Sequence, residues 1–322
     1  MGLGEKCLSS TKPQALRPKP YNARMLKRTL GSTGLDVSVI GIGTWQFGGE
    51  WGQTFKPEDV APMFRRGKEL GINLIDTAEC YGDHLSECLI GQAIEGDRDS
   101  WILATKFGHK FHGNFDRTEP RSPSDIMQQL EDSLKSLRTD RVELYQYHSW
   151  GDEQFFDEDV LAVLGKAKQQ GKILHIGNSV GWNGNVKQVS ASKKMGIEFI
   201  QIIYNRLDKT PEETCFPICH EQHLGVLARV PLASGFLSGK YKPGATFVES
   251  DVRSRSKAED RDKRLKEVEK IAAEEVPAGL PMAQWALAWC LKNPAVTSVI
   301  PGCKNVQQVE SNAAAAELLK IS

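Results

Sequence analysis

Four side chains at the ends of apolar runs could act on one reacting group. Asp76 lies in INLIDTA (72–78) with Tyr81 shortly after it. Lys106 ends WILATKF (101–107) but for one residue, and His148 closes VELYQYH (142–148). A free tyrosine has a pKa near 10 and is a poor acid at neutral pH. An ammonium within hydrogen-bond distance favours the phenolate and is expected to lower that pKa. A carboxylate beside the lysine keeps it charged and in place. A histidine can orient a carbonyl oxygen or relay a proton. The set suits protonation of a carbonyl oxygen while hydride reaches the carbon. No side chain delivers hydride, so such chemistry requires a cofactor. Taken singly, each residue has a structural reading: Asp76 as a helix cap, Tyr81-Gly82 as a turn, Lys106 as a rim charge, His148 as a core histidine. Their joint placement on three successive strand ends favours a shared cavity.

The elements that must hold them alternate along the chain. Apolar runs occur at 37–43, 72–78, 101–107, 142–148, 173–179, 199–205, 225–232 and 296–302. Stretches with helical spacing fill the gaps at 57–70, 85–95, 124–138, 157–170, 185–195, 212–223, 259–293 in two pieces, and 305–319. Strands alternating with helices imply parallel βα units, and near-continuous apolar strands imply both faces covered. Eight units predict an α/β fold, a (β/α)8 TIM barrel with chemistry at the carboxyl ends of its strands. An open doubly wound sheet would show GxGxxG after its first strand. The sequence instead reads Gly41-Ile-Gly43-Thr44-Trp45, without the third glycine or a following helix. A hairpin, Leu26–Leu30 and Asp36–Ile40 around a Gly31–Gly34 turn, is expected to cap the barrel floor. Residues 1–24 are basic, proline-containing and aperiodic, and read as a flexible extension before a barrel domain over 25–322. The long connection 232–262 reads either as a solvated charged face or as a flap over a cofactor.

Composition narrows the classes. The 322 residues carry 41 Lys+Arg and 41 Asp+Glu, a formal net charge of zero, which disfavours nucleic-acid binding. Mean hydropathy is −0.39 and no apolar run reaches the length of a membrane span. The seven cysteines are irregularly spaced with no CxxC. Cys215, Cys219, His220 and His223 are spaced somewhat like metal ligands but read as residues on and beside a helix. His109, His112 and His148 lack a carboxylate at ligand spacing on their own strand, so no metal site is expected. There is no apolar secretory segment, and Lys6 stands where a myristoylation motif needs Ser or Thr. A cytoplasmic location is the expectation.

The motifs DTAECYGDHLSECLIGQAI (76–94), LATKFG (103–108), LYQYH (144–148), PLASGFLSGKY (231–241), GIGTWQFGG (41–49) and the segment from ALAWCLKNP to ESNAA (286–314) together resemble the aldo-keto reductase superfamily. The likeness covers nearly the whole chain from about residue 26, and is nearer to bacterial and potassium-channel-β-subunit-like members. It implies that Asp76, Tyr81, Lys106 and His148 are catalytic: Tyr81 as general acid or base, Lys106 tuning it, Asp76 holding Lys106, and His148 placing the carbonyl. It implies NADP(H), with NAD as a second choice, lying extended across the barrel mouth.

The resemblance also implies which residues would hold that cofactor. Gly43, Thr44, Trp45 and Asp76 would contact it from the first two strands, and Ser179 and Gln201 its carboxamide. Arg229 stands where an aromatic ring commonly stacks on the nicotinamide; a planar guanidinium can also stack. Pro231, Leu232, Gly235, Leu237, Gly239 and Lys240 would flank the pyrophosphate. Gly302, Cys303, Lys304, Gln308 and Asn312 would hold the adenosine end, with Lys304 suited to a 2′-phosphate. Val180 replaces an Asn usual after Ser179, and Ser311 replaces an acidic adenine contact. Trp45, Tyr81, Phe107 and His148 are expected to line the substrate pocket, with Phe47, Trp51, Trp150 and Trp182 as further aromatic candidates. The expected activity is hydride transfer between nicotinamide and an aldehyde, ketone or sugar. Alternatives are a cofactor-binding partner subunit with little turnover, and a Schiff-base lyase using Lys106. The small-molecule substrate, its physiological direction and any oligomer are left open.

Overall fold

The computed structural model describes residues 25–120, 122–181 and 185–320. The expected extension over 1–24 lies outside them, as does Trp182. The chain starts with the predicted hairpin, β1 (Lys27–Thr29) and β2 (Asp36–Ser38), paired antiparallel. Eight strands then run parallel: β3 (Ile42–Gly43), β4 (Leu74–Asp76), β5 (Ile102–Phe107), β8 (Val142–His148), β9 (Ile173–Ser179), β10 (Phe199–Ile203), β11 (Gly225–Arg229) and β12 (Ser298–Val299). Bridges Ile40 to Val299 and Gly43 to Gly302 join the first strand to the last, closing the (β/α)8 barrel. A short hairpin, β6 (Lys110–Gly113) and β7 (Asp116–Thr118), leaves the end of β5 and was not expected.

The run 37–43 is not one strand. Val37 and Ser38 pair with β1, whereas Ile40–Gly43 enter the barrel. Ser38 breaks the run by donating its hydroxyl to Ile40 O at 2.7 Å and its backbone N–H to Asn73 Oδ1 at 2.7 Å. Leu30 and Val37 then lie under the barrel, in one buried cluster with Leu74, Ala104, Leu144, Phe199, Leu227 and Ile300. The hairpin thus plugs the floor, and Gly31, with φ +52, fits it there: a Cβ would come within 2.1 Å of the Gly225 nitrogen.

The helices α1 (Pro57–Glu69), α2 (Leu85–Ala93), α3 (Pro123–Ser136), α4 (Asp152–Phe155), α5 (Glu158–Gln169), α6 (Val186–Ala191), α7 (Cys215–Gln222), α8 (Ala258–Glu274), α9 (Met282–Lys292) and α10 (Val306–Ala314) lie between the strands in sequence. Their starts follow local chemistry. Ser122 and Asp125 form a reciprocal capping box on α3, and Asp157 caps α5 by accepting from the N–H of Asp159 and Val160. Among the described residues, no helix is long and apolar enough to cross a membrane.

In the connection 232–262, residues 255–260 are exposed, as the solvated-face reading has it, but the stretch just before them is pinned to the barrel. Trp51 and Asp251 form a β-bridge, and Val252 N–H donates to Glu50 O at 2.9 Å. Arg253 is held by Asp251 at 2.5 Å, and its guanidinium lies 4.2 Å from the Phe247 ring centroid and 5.3 Å from that of Trp51. The segment is a strap fastened across the barrel mouth.

Candidate active site

Side chains alternate along a strand, so every second residue of a barrel strand points inward. Leu74, Ala104, Leu144, Phe199 and Leu227 form the apolar floor. Two residues further along the same strands come Asp76, Lys106, Gln146, Gln201 and Arg229, with His148 one step higher on β8. The period that builds the floor therefore also stacks the polar row above it.

Lys106 is fully buried. Its Nζ donates to both Asp76 carboxylate oxygens at 3.0 Å, to Thr77 O at 2.6 Å and to the Tyr81 hydroxyl at 3.4 Å. Burial works against the ammonium, but the Asp76 charge and then Tyr81 outweigh it and hold its pKa above the usual lysine value. Burial pushes the Tyr81 phenol up to about 12; Lys106 opposes this and Asp76 adds to it. The ammonium acts in the expected direction, but desolvation is larger, so the phenol lies above its usual value. Burial, then the cations Lys106, Arg117 and Arg229, keep His148 far below the usual imidazole value, so it is neutral.

Asp76, Tyr81 and His148 line one cavity of about 440 Å³, and Lys106 lies behind its wall. Tyr81 and His148 are neighbours on its wall, their rings edge to face at 6.0 Å. Gly43, Thr44, Trp45, Asp76, Ser179, Gln201 and Arg229 line the same cavity, as do Pro231, Leu232, Gly235 and Lys240. Gly302, Lys304, Gln308 and Asn312 complete the expected contacts on its wall. Gln201 Nε2 donates to Asp76 Oδ1 at 2.6 Å, and Ser179 Oγ to Gln201 Oε1 at 3.4 Å. Val230, Ala233 and Ser234 all take left-handed φ values (54°, 48° and 59°), which turn the chain sharply out of β11 along the wall.

Four expected contacts do not face the cavity. Phe107 is one residue beyond Lys106, so strand alternation sends it outward, where it packs on Tyr145, Tyr147 and Trp150. It is not a substrate-pocket residue. Leu237 is buried against Leu265, Val268 and Met282, and a Cβ on Gly239 would point at Met282. Cys303 is likewise in the core. Phe47 and Trp150 are core residues, whereas Trp51 lines the cavity. Cys215 and Cys219 are buried in the core while His220 and His223 are exposed. Asn178 faces away from the cavity and donates to Gln188 Oε1 at 3.1 Å.

Sequence reasoning missed Glu50 and Arg117. Glu50 is fully buried, accepts from Trp45 Nε1 at 2.6 Å and from Phe115 N–H at 2.9 Å, and pairs with Arg117 at 2.6 Å. It thereby fixes Trp45, whose ring stacks on Tyr81 with centroids 6.2 Å apart. An acid between Gly49 and Trp51 in a glycine-rich, otherwise uncharged loop was the available signal. Arg117 had none, since its hairpin was unrecognised.

A sequence profile of the Aldo/keto reductase family matches residues 39–322. The chain belongs to this family. It is 33% identical over 301 residues to the uncharacterised oxidoreductase YqkF of Bacillus subtilis (strain 168), covering 92% of this chain and 93% of YqkF. Among solved structures, the holo form of aldo-keto reductase AKR11C1 from Bacillus halodurans superposes with a TM-score of 0.75 at 31% identity, covering 91% of each chain. The glycerol dehydrogenase AKR11B4 from Gluconobacter oxydans also gives 0.75, at 26% identity, covering 90% of this chain and 89% of that one. The chain is thus an aldo/keto reductase-type oxidoreductase on a (β/α)8 barrel.

Proposed function

We propose that this aldo/keto reductase interconverts a carbonyl and an alcohol with NADP(H), Tyr81 exchanging the proton. One observation carries the reading: on the cavity wall the Tyr81 hydroxyl meets an ammonium that a carboxylate holds by both oxygens.

The lining suits a phosphorylated dinucleotide. Arg229 Nε, Gln46 Oε1 and Trp51 Nε1 are buried on cavity residues without a hydrogen-bond partner among the described residues, as expected where a polar ligand belongs. Lys240, Arg253 and Lys304 all line the cavity, near enough for their charges to act on one another. Burial, then the positive charge of Arg253 and, more weakly, Lys240, lowers the Lys304 pKa, while Asp251 opposes them. A cluster of cations that disfavour one another is relieved by phosphate. Lys304 stands just before α10, whose N-terminal end adds a favourable dipole.

The cofactor would be held by Ser179, Gln201, Arg229, Lys240 and Lys304, and when bound it supplies or accepts hydride. The chain's own residues handle the proton. In reduction, Tyr81 Oη gives its proton to the carbonyl oxygen as the carbon accepts hydride, and Lys106 stabilises the phenolate that remains. A phenol near 12 stays protonated at neutral pH yet is acidic enough to protonate an alkoxide. Neutral His148 offers a hydrogen bond to the same oxygen. In oxidation Tyr81 accepts the proton.

Trp45, Tyr81, His148 and Trp51 make a mostly aromatic pocket, which fits an aldehyde, ketone or small sugar. The test is Tyr81→Phe with NADPH and a panel of carbonyls and sugars, read by nicotinamide absorbance. Turnover should fall by about 10²–10⁴ while NADPH binding persists. Unchanged turnover would refute the assignment. Tight NADPH binding with no turnover of the unaltered protein across the panel would favour a partner-subunit role.

A further inference from the structure

The loop after β4 sets Glu79 and Cys80 against the His148 ring. His148 Nδ1 lies 3.6 Å from Cys80 Sγ and 3.7 Å from Glu79 Oε2. These three donor atoms all fall within 4.8 Å of one another. Glu79 Oε1 accepts the His109 backbone N–H at 2.9 Å. Its Oε2 has no hydrogen-bond partner among the described residues, although the side chain is only 2% exposed. A buried carboxylate oxygen left unpaired is costly, and a bound cation removes that cost.

The spacing fits a specific kind of cation. Tetrahedral zinc, with bonds of about 2.3 Å to sulfur and about 2.0–2.2 Å to nitrogen and oxygen, sets its S and N donors about 3.5 Å apart and its N and O donors about 3.4 Å apart. The observed 3.6 and 3.7 Å need shifts of only a few tenths of an ångström, and the sulfur and the carboxylate oxygen, within 4.8 Å of each other, would draw together to about 3.6 Å around a shared ion. A thiolate, an imidazole and a carboxylate are a donor set that zinc and cobalt favour and that calcium and magnesium do not. Of the three cations that act on His148, Lys106 is matched by Asp76 and Arg117 by Glu50, while Arg229 donates to Val180 O. A thiolate and a carboxylate would balance the charge of one dication.

We propose that Glu79, Cys80 and His148 form a binding site for a zinc-like divalent cation beside the substrate end of the cavity. The Cys80 S–H bond breaks as the sulfur–metal bond forms, the proton leaves to solvent, and no redox change occurs. Ligation through Nδ1 fixes the ring and leaves its proton on Nε2. The importance of that for turnover rests on the carbonyl-reductase reading above; the binding itself does not.

The test titrates the chelator-treated full chain with Co²⁺ and then displaces it with Zn²⁺. The expected result is one equivalent of cobalt with a near-ultraviolet thiolate-to-cobalt band and tetrahedral visible bands, bleached by zinc. Cys80→Ser should abolish the thiolate band. Glu79→Gln should keep it and weaken cobalt binding about tenfold or more. Melting curves establish that each variant is folded, and each variant tests the site independently of the other. Absence of the band in the unaltered protein, its survival in Cys80→Ser, or unchanged affinity in Glu79→Gln would overturn the proposal. The spectrum needs neither substrate nor dinucleotide, so a failure of the carbonyl-reductase reading leaves it untouched and separately recognisable.

Discussion

The Lys106 ammonium is 3.4 Å from the Tyr81 hydroxyl but 3.0 Å from each Asp76 oxygen, so the carboxylate is its charged partner. Lys106→Met therefore removes two things at once. The phenolate loses its stabilising charge, and turnover should fall by at least about 10². Asp76 is left as an unpaired buried carboxylate, and stability should fall by about 3–5 kcal/mol. Denaturant unfolding checks the second part. Adding Asp76→Asn should recover much of the stability and none of the turnover.

Lys304 separates the two dinucleotides. Lys304→Ala should weaken NADPH binding about ten- to hundredfold, the range for a lost charge-assisted hydrogen bond, and leave NADH binding within a few-fold. Fluorescence titration with each dinucleotide measures it. Equal losses for both would remove Lys304 from the 2′-phosphate.

Glu50 holds Trp45, Phe115 and Arg117 from one buried carboxylate. Glu50→Gln should cost about 3 kcal/mol by leaving Arg117 poorly matched. It should also raise KM for carbonyl substrates more than it lowers kcat, because Trp45 is loosened while Tyr81 and Lys106 stay in place. Steady-state kinetics beside a melting curve would show both effects.

Glu198 ties the bottom of the barrel together. It pairs with His175 at 2.9 Å and Lys168 at 3.0 Å. Burial works to raise its pKa, but the bonds from His175 and Lys168 prevail and hold it below the usual carboxylate value. A carboxyl whose folded pKa is depressed adds stability above its unfolded pKa, and that contribution is lost as pH falls through the folded value. Glu198→Gln should thus cost about 1–2 kcal/mol at pH 7, and the gap to the unaltered protein should close below about pH 4. A gap that is constant down to pH 3 would contradict this.

The barrel was legible because its signals are local. Apolar runs alternating with helical spacing and capping residues recur along the chain, and each reports a βα unit without knowledge of the others. The strand-end residues Asp76, Lys106 and His148 were legible for the same reason, since strand ends can be read from the apolar runs. What escaped was side-chain direction and long-range pairing. Phe107 looked like a pocket residue until its neighbour Lys106 was seen to take the inward position of the strand. The first apolar run concealed a break at Ser38, whose side chain bonds the backbone at Ile40.

Sequence alone determined the repeating units, the hairpin before them and the acid, base and cation types available at the strand ends, because composition and period act over a few residues. Only the tertiary structure decided three further things. It set the balance at Tyr81, where the burial created by barrel closure exceeds the pull of Lys106. It strapped residues 251–253 onto the loop at Glu50 and Trp51, some two hundred residues earlier in the chain. It brought Glu79 and Cys80 to the ring of His148, 68 residues beyond Cys80. Desolvation and contact depend on what lies across space, and no spacing along a chain encodes that directly.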